Sequence, residues 1–413
     1  MANTFAKDAM ATLWEEVAET TSINMTLSKD LEVYDMDSDT NDGRNADASG
    51  QDQEWIPQEY RFEVQDGIVS TDGDFQDLTD RMIPVRRNKA LRILARIGTK
   101  DLRDPMRRKK KMMGMAKDIA NAVDTYAYQT MIDQATLIQP KAAADFAFDD
   151  AIDAEVLMLN RGLGGYSKKL FLSNTDYSKV AKDLGQNQYY GKEGIPNDAL
   201  TKASIPDLAT FDTMRSDYLI NLAGNVTAGV TVNGAQSHTV ATYDANDFYL
   251  DNRSMTLLLT GATTANMPVG TKFTIAGVNA LHPETREDTG DLQTFTVKTA
   301  VNAAPVIQPA IVIAGPYRNC SAEAGAAAAV TMLNATTVAP SLFYTPESTV
   351  IVPGRLPVPN DAGGVESVDA VTEQGLPMRL TYRYDFHNET FECKALIYFD
   401  VQVVYPWMLG AII

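Results

Sequence analysis

An α+β protein with a separate β-module set into it is the fold class that three features of the sequence predict. Residues 226–312 hold short runs rich in β-branched residues, at 226–237, 251–260, 272–278 and 294–299, punctuated by Gly, Asn and Pro at hairpin spacing. Residues 104–140 repeat apolar positions every three or four places, and residues 378–386 alternate with period two. The stretches flanking 226–312 carry helical periodicity or large charge imbalance. The β-module therefore reads as an insertion into a loop of a host domain, which chains tolerate where the two ends lie close together.

From the N-terminus, Phe5, Met10, Leu13, Trp14 and Val17 fall at helical spacing. Such an amphipathic helix either packs on its own core or serves as an arm that docks on a neighbour, which makes Trp14 a candidate contact residue. Residues 35–43 alternate Asp and Asn as a calcium loop does. The Gly needed at the sixth place and the Glu needed at the twelfth are missing, so a solvated acidic loop is expected. Residues 53–85 read as an extended two-stranded arm around a Gly/Asp-rich turn at 66–74. An isolated hairpin is marginally stable and lies on a neighbour, so Trp55, Tyr60 and Phe62 are candidate subunit contacts.

Asp104 followed by Pro105 marks a helix start, N-cap then first helical residue. The apolar stripe Met112, Met113, Ala116, Ile119, Ala120, Val123, Tyr126, Ala127 and Met131 then continues toward Pro140. About 30 residues at 1.5 Å each give a spine of roughly 45 Å. Its first turns hold Arg107, Arg108, Lys109, Lys110 and Lys111. Cations there oppose the helix macrodipole at a few tenths of a kcal/mol each. They are not placed for the helix itself and read either as a solvated patch or as a contact for an acidic surface on another subunit.

Residues 145–222 mix a helix (148–160), a strand (169–173) and a helix (175–184). The Gly-rich run at 162–169 lacks the order of a phosphate-binding loop and precedes a strand, so it reads as a turn. Beyond the β-module, the alanine-rich stretch 322–334 is expected to be helical. Phe343 and 350–352 read as strands, 353–364 as a Pro/Gly-rich loop, and 378–386 and 391–405 as strands joined by a turn at 387–389.

Composition narrows function. The 413 residues are 45% hydrophobic and 22% charged, enough to bury a core without staples. Cys320 and Cys393 match no metal or redox spacing and read as reduced thiols. The polar N-terminus does not read as a secretory signal, and the apolar run 395–413 is broken by Asp400, Gln402 and Pro406, so it reads as core strand instead of membrane span. A net charge of −18 argues against general nucleic-acid binding. Residues 30–80 carry 16 Asp/Glu against Arg44 and Arg61, a balance of −14, whereas 81–117 carry 14 Lys/Arg against Asp101 and Asp104, a balance of +12. Adjacent segments of opposite sign suit each other, or each other's copies. His238, His282 and His387 stand in three different segments, and no catalytic, metal or cofactor constellation emerges. An arm, a hairpin, a spine and segregated charge follow the logic of a shell-forming subunit.

Three blocks carry a resemblance to a known family: Thr227-Ala-Gly-Val-Thr-Val-Asn-Gly-Ala-Gln-Ser237, Asp251-Asn-Arg253 and Gly270-Thr-Lys-Phe-Thr-Ile-Ala-Gly-Val278, supported by Asp101-Leu-Arg-Asp104 and Trp55-Ile-Pro57. Together they resemble the coat proteins of short-tailed phages related to the Salmonella transducing phage, over nearly the whole chain. That resemblance implies the Hong Kong 97-like capsid fold: N-arm at 1–35, acidic segment and E-loop hairpin at 36–88, and P-domain with spine helix at 89–145. It continues with the first part of the A-domain at 146–223, an inserted immunoglobulin-like β-barrel (I-domain) at 224–341, the second part of the A-domain at 342–377, and C-terminal P-domain strands at 378–413.

The resemblance also implies an icosahedral procapsid of hexamers and pentamers built with a scaffolding protein in the host bacterial cytoplasm. A portal protein would occupy one vertex, and the shell would expand as DNA is packaged. No cofactor and no enzymatic activity are implied, contact with DNA is weak and non-specific, and a decoration protein is an optional partner. In family members a loop of the inserted domain makes contacts across two-fold axes; here it corresponds to 242–250, with Asp244 and Asp247. The acidic stretch 35–52 and the short run after Tyr405-Pro-Trp407 depart from the family pattern. Two other readings stay open at this point: a cellular encapsulating shell protein, which shares the fold without the inserted barrel, and a carbohydrate-binding tail or adhesin module. An enzyme would need a convergent pocket that the sequence does not display.

Overall fold

The stripe that begins after Asp104 becomes a single helix, Pro105–Gln134, 30 residues long, in the computed structural model of the chain. The structure describes residues 4–35, 53–62, 64, 67, 79–98, 104–141, 146–186, 205, 207–216, 220–225, 229–244, 247–334, 337–355, 366–385, 387–388 and 390–413, with the side chains of 4–13, 105, 108 and 183–186 set aside. The acidic stretch 36–52 with most of the calcium-loop reading, nearly all of the turn at 66–74, and 356–365 of the Pro/Gly-rich loop lie outside the described residues, as does the side chain of Arg108. No helix among the described residues is long and apolar enough to cross a membrane. The chain divides into two units, and the spine helix contributes to each: its residues through Tyr128 belong to the first, and those from Gln129 onward to the second.

The first unit comprises Met1–Glu54, Val85–Tyr128 and Thr349–Gln402. Its sheet is built on the strand Thr390–Val403, which pairs antiparallel with Pro377–Asp385 and with Lys89–Gly98; Thr349–Gly354, Glu366–Val371 and the short Glu32–Val33 complete it. The inward face of Thr390–Val403 alternates as a strand of period two must, with Phe391, Cys393, Ala395, Ile397, Phe399 and Val401 buried. On the spine helix, Met112, Met115, Ala116, Ile119, Ala120, Val123 and Ala127 are buried at three- and four-residue spacing, the Met, Ile and Val side chains contributing roughly 1.5–3 kcal/mol each and the alanine methyls about 0.8 kcal/mol each.

The amphipathic N-terminal stretch forms the helix Thr4–Asn24. Of the two alternatives for it, packing on its own unit is what Trp14 does: the ring is 0% exposed and its indole Nε1 donates to the Met378 carbonyl at 3.1 Å. Trp14 is thus a core residue of its own subunit, which corrects its candidacy as a surface contact. The chain leaving this helix turns over Asp124 of the spine helix. Asp124 Oδ2 accepts from the Thr26 amide at 2.7 Å and Oδ1 from the Ser28 amide at 3.0 Å, with the Ser28 hydroxyl bonded to the same carboxylate. The side chain is completely buried, and these donors replace the water it gave up.

The second unit comprises Trp55–Pro84, Gln129–Ser348 and Val403–Ile413. Its mixed six-stranded sheet runs in the order Leu137–Gln139, Leu409–Ile412, Ser341–Tyr344, Lys169–Leu172, Phe211–Arg215, Asp207–Leu208. The helices Phe148–Leu159 and Asn174–Gln186 accompany it, and the Gly-rich run after the first of these is the expected turn. Phe343 stands opposite Gly410, and a Cβ on that glycine would lie 2.0 Å from the Phe343 ring, so only glycine lets the two strands close.

A second, antiparallel sheet in this unit runs Met255–Thr256, Val306–Gln308, Asp288–Thr299, Lys272–Leu281, Val330–Met332, with a small pair Thr231–Val232 and Leu259–Thr260 beside it. Its core is a separate cluster that includes Val232, Leu257, Phe273, Ile275, Phe295, Val297, Ile307 and Ile311. The chain enters and leaves this sheet at one place, where Leu222 and Val338 exchange backbone hydrogen bonds of 2.9 and 3.2 Å.

The helix expected at 322–334 does not form. Ala327 takes a left-handed φ of 60°, and Val330–Met332 is a strand on Lys272–Leu281, with Ile275 opposite Val330 and Phe273 opposite Met332. Alanine's preference for helix is worth less than 1 kcal/mol per residue. A sheet edge that needs a partner outweighs it.

At the end of the spine helix three polar side chains from this sheet meet the last carbonyls. Lys272 Nζ, fully buried, donates to Ile132 O at 2.6 Å, Ala135 O at 2.8 Å and Thr296 Oγ1 at 2.7 Å, with Asp133 O at 3.4 Å. Thr296 Oγ1 donates to Asp133 O at 3.1 Å, and the Thr294 hydroxyl to Thr136 O. Gly270 opens the strand at φ +84°, and a Cβ there would meet Asp133 Oδ1 at 2.8 Å. Burial pushes the Lys272 ammonium down to about 7, and the Asp133 charge offsets only part of this.

Asp124→Ala strands the amides of Thr26 and Ser28 in a dry site and should cost on the order of 3 kcal/mol in urea unfolding; a loss below about 1 kcal/mol would show that the carboxylate is replaceable. For Lys272, the unfolded chain holds a proton between about pH 7 and the ordinary lysine range that the folded chain releases. Unfolding free energy should therefore rise with pH across that window. Lys272→Met should lose that slope and about 2–3 kcal/mol at pH 7. Parallel unfolding curves at pH 7 and pH 9 for the two proteins check it, and equal slopes would refute the assignment.

Candidate subunit-contact surfaces

The two ends of the extended arm pair as Gln53–Pro57 with Met82–Arg86. Their Trp55–Pro84 portion belongs to the second unit, where it meets the loop 242–250. The loop is a tight reversal. Tyr243 and Tyr249 bridge antiparallel, Leu250 N donates to Thr242 O at 3.1 Å, and Asp244 N donates to Phe248 O at 2.8 Å. Asp244 Oδ1 also accepts from the Phe248 amide at 3.0 Å, so this carboxylate shapes the loop. Asp247 sits at φ 67°, a conformation that Asp and Asn tolerate better than most residues, and its side chain is exposed.

Trp55 packs on this loop: its ring lies 5.6 Å from Tyr249, which stacks at 5.1 Å on Tyr243. Such aromatic pairs add about 0.5–1.5 kcal/mol beyond their buried area. The arm is tied down further by the Asp80 amide on Thr242 Oγ1 at 3.2 Å and by Tyr60 OH on Asp80 Oδ1 at 2.6 Å. The bond to Asp80 raises the Tyr60 phenol above its usual range, because ionisation would break it beside a carboxylate. Tyr60 and Phe62 are exposed, Phe62 at 61%. The structure thus brings together Trp55, Tyr60 and the loop bearing Asp244 and Asp247, which sequence alone places in separate segments. Tyr243, Tyr249 and Asp80, which hold them together, were not singled out by sequence. The aromatic spacing around the loop acids was the available signal.

The base of the loop is clamped by the Asp251-Asn-Arg253 block. Asn252, 1% exposed, donates to Ala241 O at 2.9 Å and Leu250 O at 3.2 Å and accepts from the Ala241 amide at 3.2 Å. Arg253 pairs with Asp251 through Nε at 2.8 Å and Nη2 at 3.0 Å, and its Nη1 donates to Val403 O at 2.5 Å. Lys298 reaches the same carboxylate at 3.1 Å. Burial alone would push the Asp251 carboxyl up; the charges of Arg253 and Lys298 and the Arg253 hydrogen bonds outweigh it and hold the carboxyl well below the usual range. Its contribution to stability is therefore present above the ordinary carboxylate range and is lost only as pH falls through the depressed value.

The basic cluster belongs to the first unit. Asp104 caps the helix by accepting from the Met106 amide at 3.0 Å and pairs with Arg107 at 3.4 Å. Lys109 pairs with Glu16 of the N-terminal helix, and Lys110 and Lys111 are exposed. Arg107 and Lys109 therefore have carboxylate partners inside their own subunit. Both pairs are solvent-exposed and worth at most about 1 kcal/mol each.

All 413 residues match the model of the P22 coat protein family, described as P22 coat protein, gene protein 5. Among solved structures the chain is similar to the CUS-3 coat protein I-domain, at 35% identity over 27% of this chain and 99% of that one, with a TM-score of 0.23. It is similar also to the mature capsid of bacteriophage PhiM1 (12% identity, 94% and 86% covered, TM-score 0.44) and to the capsid of Ralstonia phage GP4 (7% identity, 94% and 88% covered, TM-score 0.43). The match of the family model over the full length carries the assignment. The chain belongs to the P22 coat protein family and is a major capsid protein of a tailed phage, a structural subunit of the multimeric shell of the virion.

Proposed function

We propose that this capsid subunit assembles with a scaffolding protein into an icosahedral procapsid of hexamers and pentamers in the host cytoplasm, with a portal at one vertex, and expands on DNA packaging. In this reading it catalyses no reaction, residues 224–341 form the inserted I-domain, and the loop 242–250 bridges capsomers through Asp244 and Asp247. The observation that carries the proposal is the braced loop. Its backbone is closed internally, the Asp247 amide donating to Asp244 O at 3.2 Å, and its base is clamped by Asn252 and Arg253, while Asp247 and Phe248 face solvent and the Asp247 side chain bonds none of the described residues. The separate buried cluster and the single entry and exit at Leu222 and Val338 support the insertion.

The E-loop hairpin, with Tyr60 and Phe62 exposed, supplies a second contact. The basic start of the spine helix supplies a third, meeting acidic surface on a neighbour; Arg107 and Lys109 divide their charge between that surface and their own Asp104 and Glu16.

Co-expression with the scaffold followed by electron microscopy tests the proposal. Uniform closed shells are expected, and a chain that stays monomeric in the presence of scaffold overturns it. Asp247→Asn keeps the left-handed backbone tolerable and should leave unfolding within about 0.5 kcal/mol of wild type while lowering shell yield; unchanged yield removes Asp247 from the contact. Replacing Arg107, Arg108, Lys110 and Lys111 by Glu, with Lys109 kept for Glu16, places acids where the helix dipole favours them. The subunit should stay folded by circular dichroism and fail to form shells, and normal shells would refute charge pairing at this site.

A further inference from the structure

A cleft of ≈ 90 Å³ in the second unit is lined by five arginines, Arg61, Arg81, Arg161, Arg253 and Arg318. Among the described residues no carboxylate lines it, in a chain whose net charge is −18. Asp251 lies close by but is committed to Arg253 and Lys298. Arg81 is held by its Nη2 on Asn252 O at 3.2 Å and by the faces of Tyr317 at 4.7 Å and Trp407 at 5.9 Å. Its Nε, and those of Arg161 and Arg318, are shielded from solvent without a hydrogen-bond acceptor. A buried guanidinium donor left unmet is costly, and guanidiniums gathered together repel one another. Burial already pushes Arg81 and Arg161 down to about 10, and the charges of Arg61 and Arg253 add to the effect at Arg81.

Folding alone leaves the Nε donors of Arg81, Arg161 and Arg318 unmet. The arrangement suits an acceptor that carries negative charge and can take several N–H bonds at once, as carboxylate and phosphate oxygens do with arginine forks. We propose that the cleft is an oxyanion site of the capsid subunit, taking one carboxylate or phosphate group against Arg81, Arg161 and Arg318. The volume admits a single such group and not a folded segment. The group comes either from a solute or from an acidic side chain of a second copy of this chain.

The test titrates inorganic phosphate and citrate into the unassembled full-length chain, against sodium chloride at equal ionic strength, reading heat of binding and the thermal midpoint. Saturable binding with a raised midpoint is expected, weakened tenfold or more in Arg161→Gln and in Arg318→Gln. The Arg318→Gln variant serves if Arg161→Gln does not fold, with near-ultraviolet circular dichroism as the check. Repeating the titration on assembled shells separates the two sources. Binding retained in shells assigns the site to a solute anion, and binding lost on assembly assigns it to a neighbour's carboxylate. Phosphate and citrate acting no differently from chloride on the unassembled chain, or both variants binding as wild type does, overturns the proposal.

Discussion

The end of the spine helix is the constraint on which the second unit depends. A helix leaves its last carbonyls without partners, and here Ala135 and Thr136 are buried, so water is not available to satisfy them. The antiparallel sheet supplies what is missing through Lys272, Thr294 and Thr296. A lysine amine is suited to the place because it brings several N–H donors to carbonyls that lie at the negative end of the helix dipole, while burial still disfavours its charged form. The same contact sets the register of the pair Lys272–Leu281 and Asp288–Thr299. A slip of one residue would turn Lys272 to the other face and leave both the cation and the carbonyls stranded.

A comparable arrangement operates in the first unit, with the charge reversed. Asp124 on the spine helix gathers the amides of the turn that follows the N-terminal helix, and Asp400 accepts from the Tyr126 hydroxyl and the Asn88 amide. Burial pushes the Asp400 carboxyl up, and hydrogen bonds from Tyr126, Val401, Asn88 and Gln402 offset part of that. In both units a charged side chain is spent on backbone groups that the topology would otherwise leave without partners. Hydrophobic burial determines which faces meet, while these polar contacts determine how the elements are aligned.

This division explains what could be read in the sequence. Elements that depend on periodicity were legible: the helix from Pro105, the strands about Phe343 and from Thr390, and the β-rich module. The stretch at 322–334 was misread because local alanine content says nothing about a vacant sheet edge more than 40 residues away. Lys272 and Asp124 were illegible for a related reason. A lone charge in an apolar run looks like a surface residue until the group that needs it is brought alongside by the fold. The candidate surfaces were legible as segments but not as an assembly. Trp55 and the loop 242–250 lie nearly 190 residues apart in the sequence, and the fold joins them through Tyr249 and Asp80. Trp14 was misassigned because an amphipathic helix does not state which core it serves.

The blocks that carried the family resemblance acquire a physical meaning from the same contacts. Asp251-Asn-Arg253 is the clamp at the base of the loop and the tie to Val403, and Gly270-Thr-Lys272 is the cap on the spine helix. Each combines a buried charge or amide with backbone groups from a distant segment, so neither tolerates a conservative change: a lysine at 253 loses the fork that reaches Asp251 and Val403 together, and any side chain at 270 meets Asp133. These motifs are specific because their chemistry is specific. In the loop itself Asp244 has a comparable internal duty, its carboxylate accepting from the Phe248 amide and its carbonyl from the Asp247 amide.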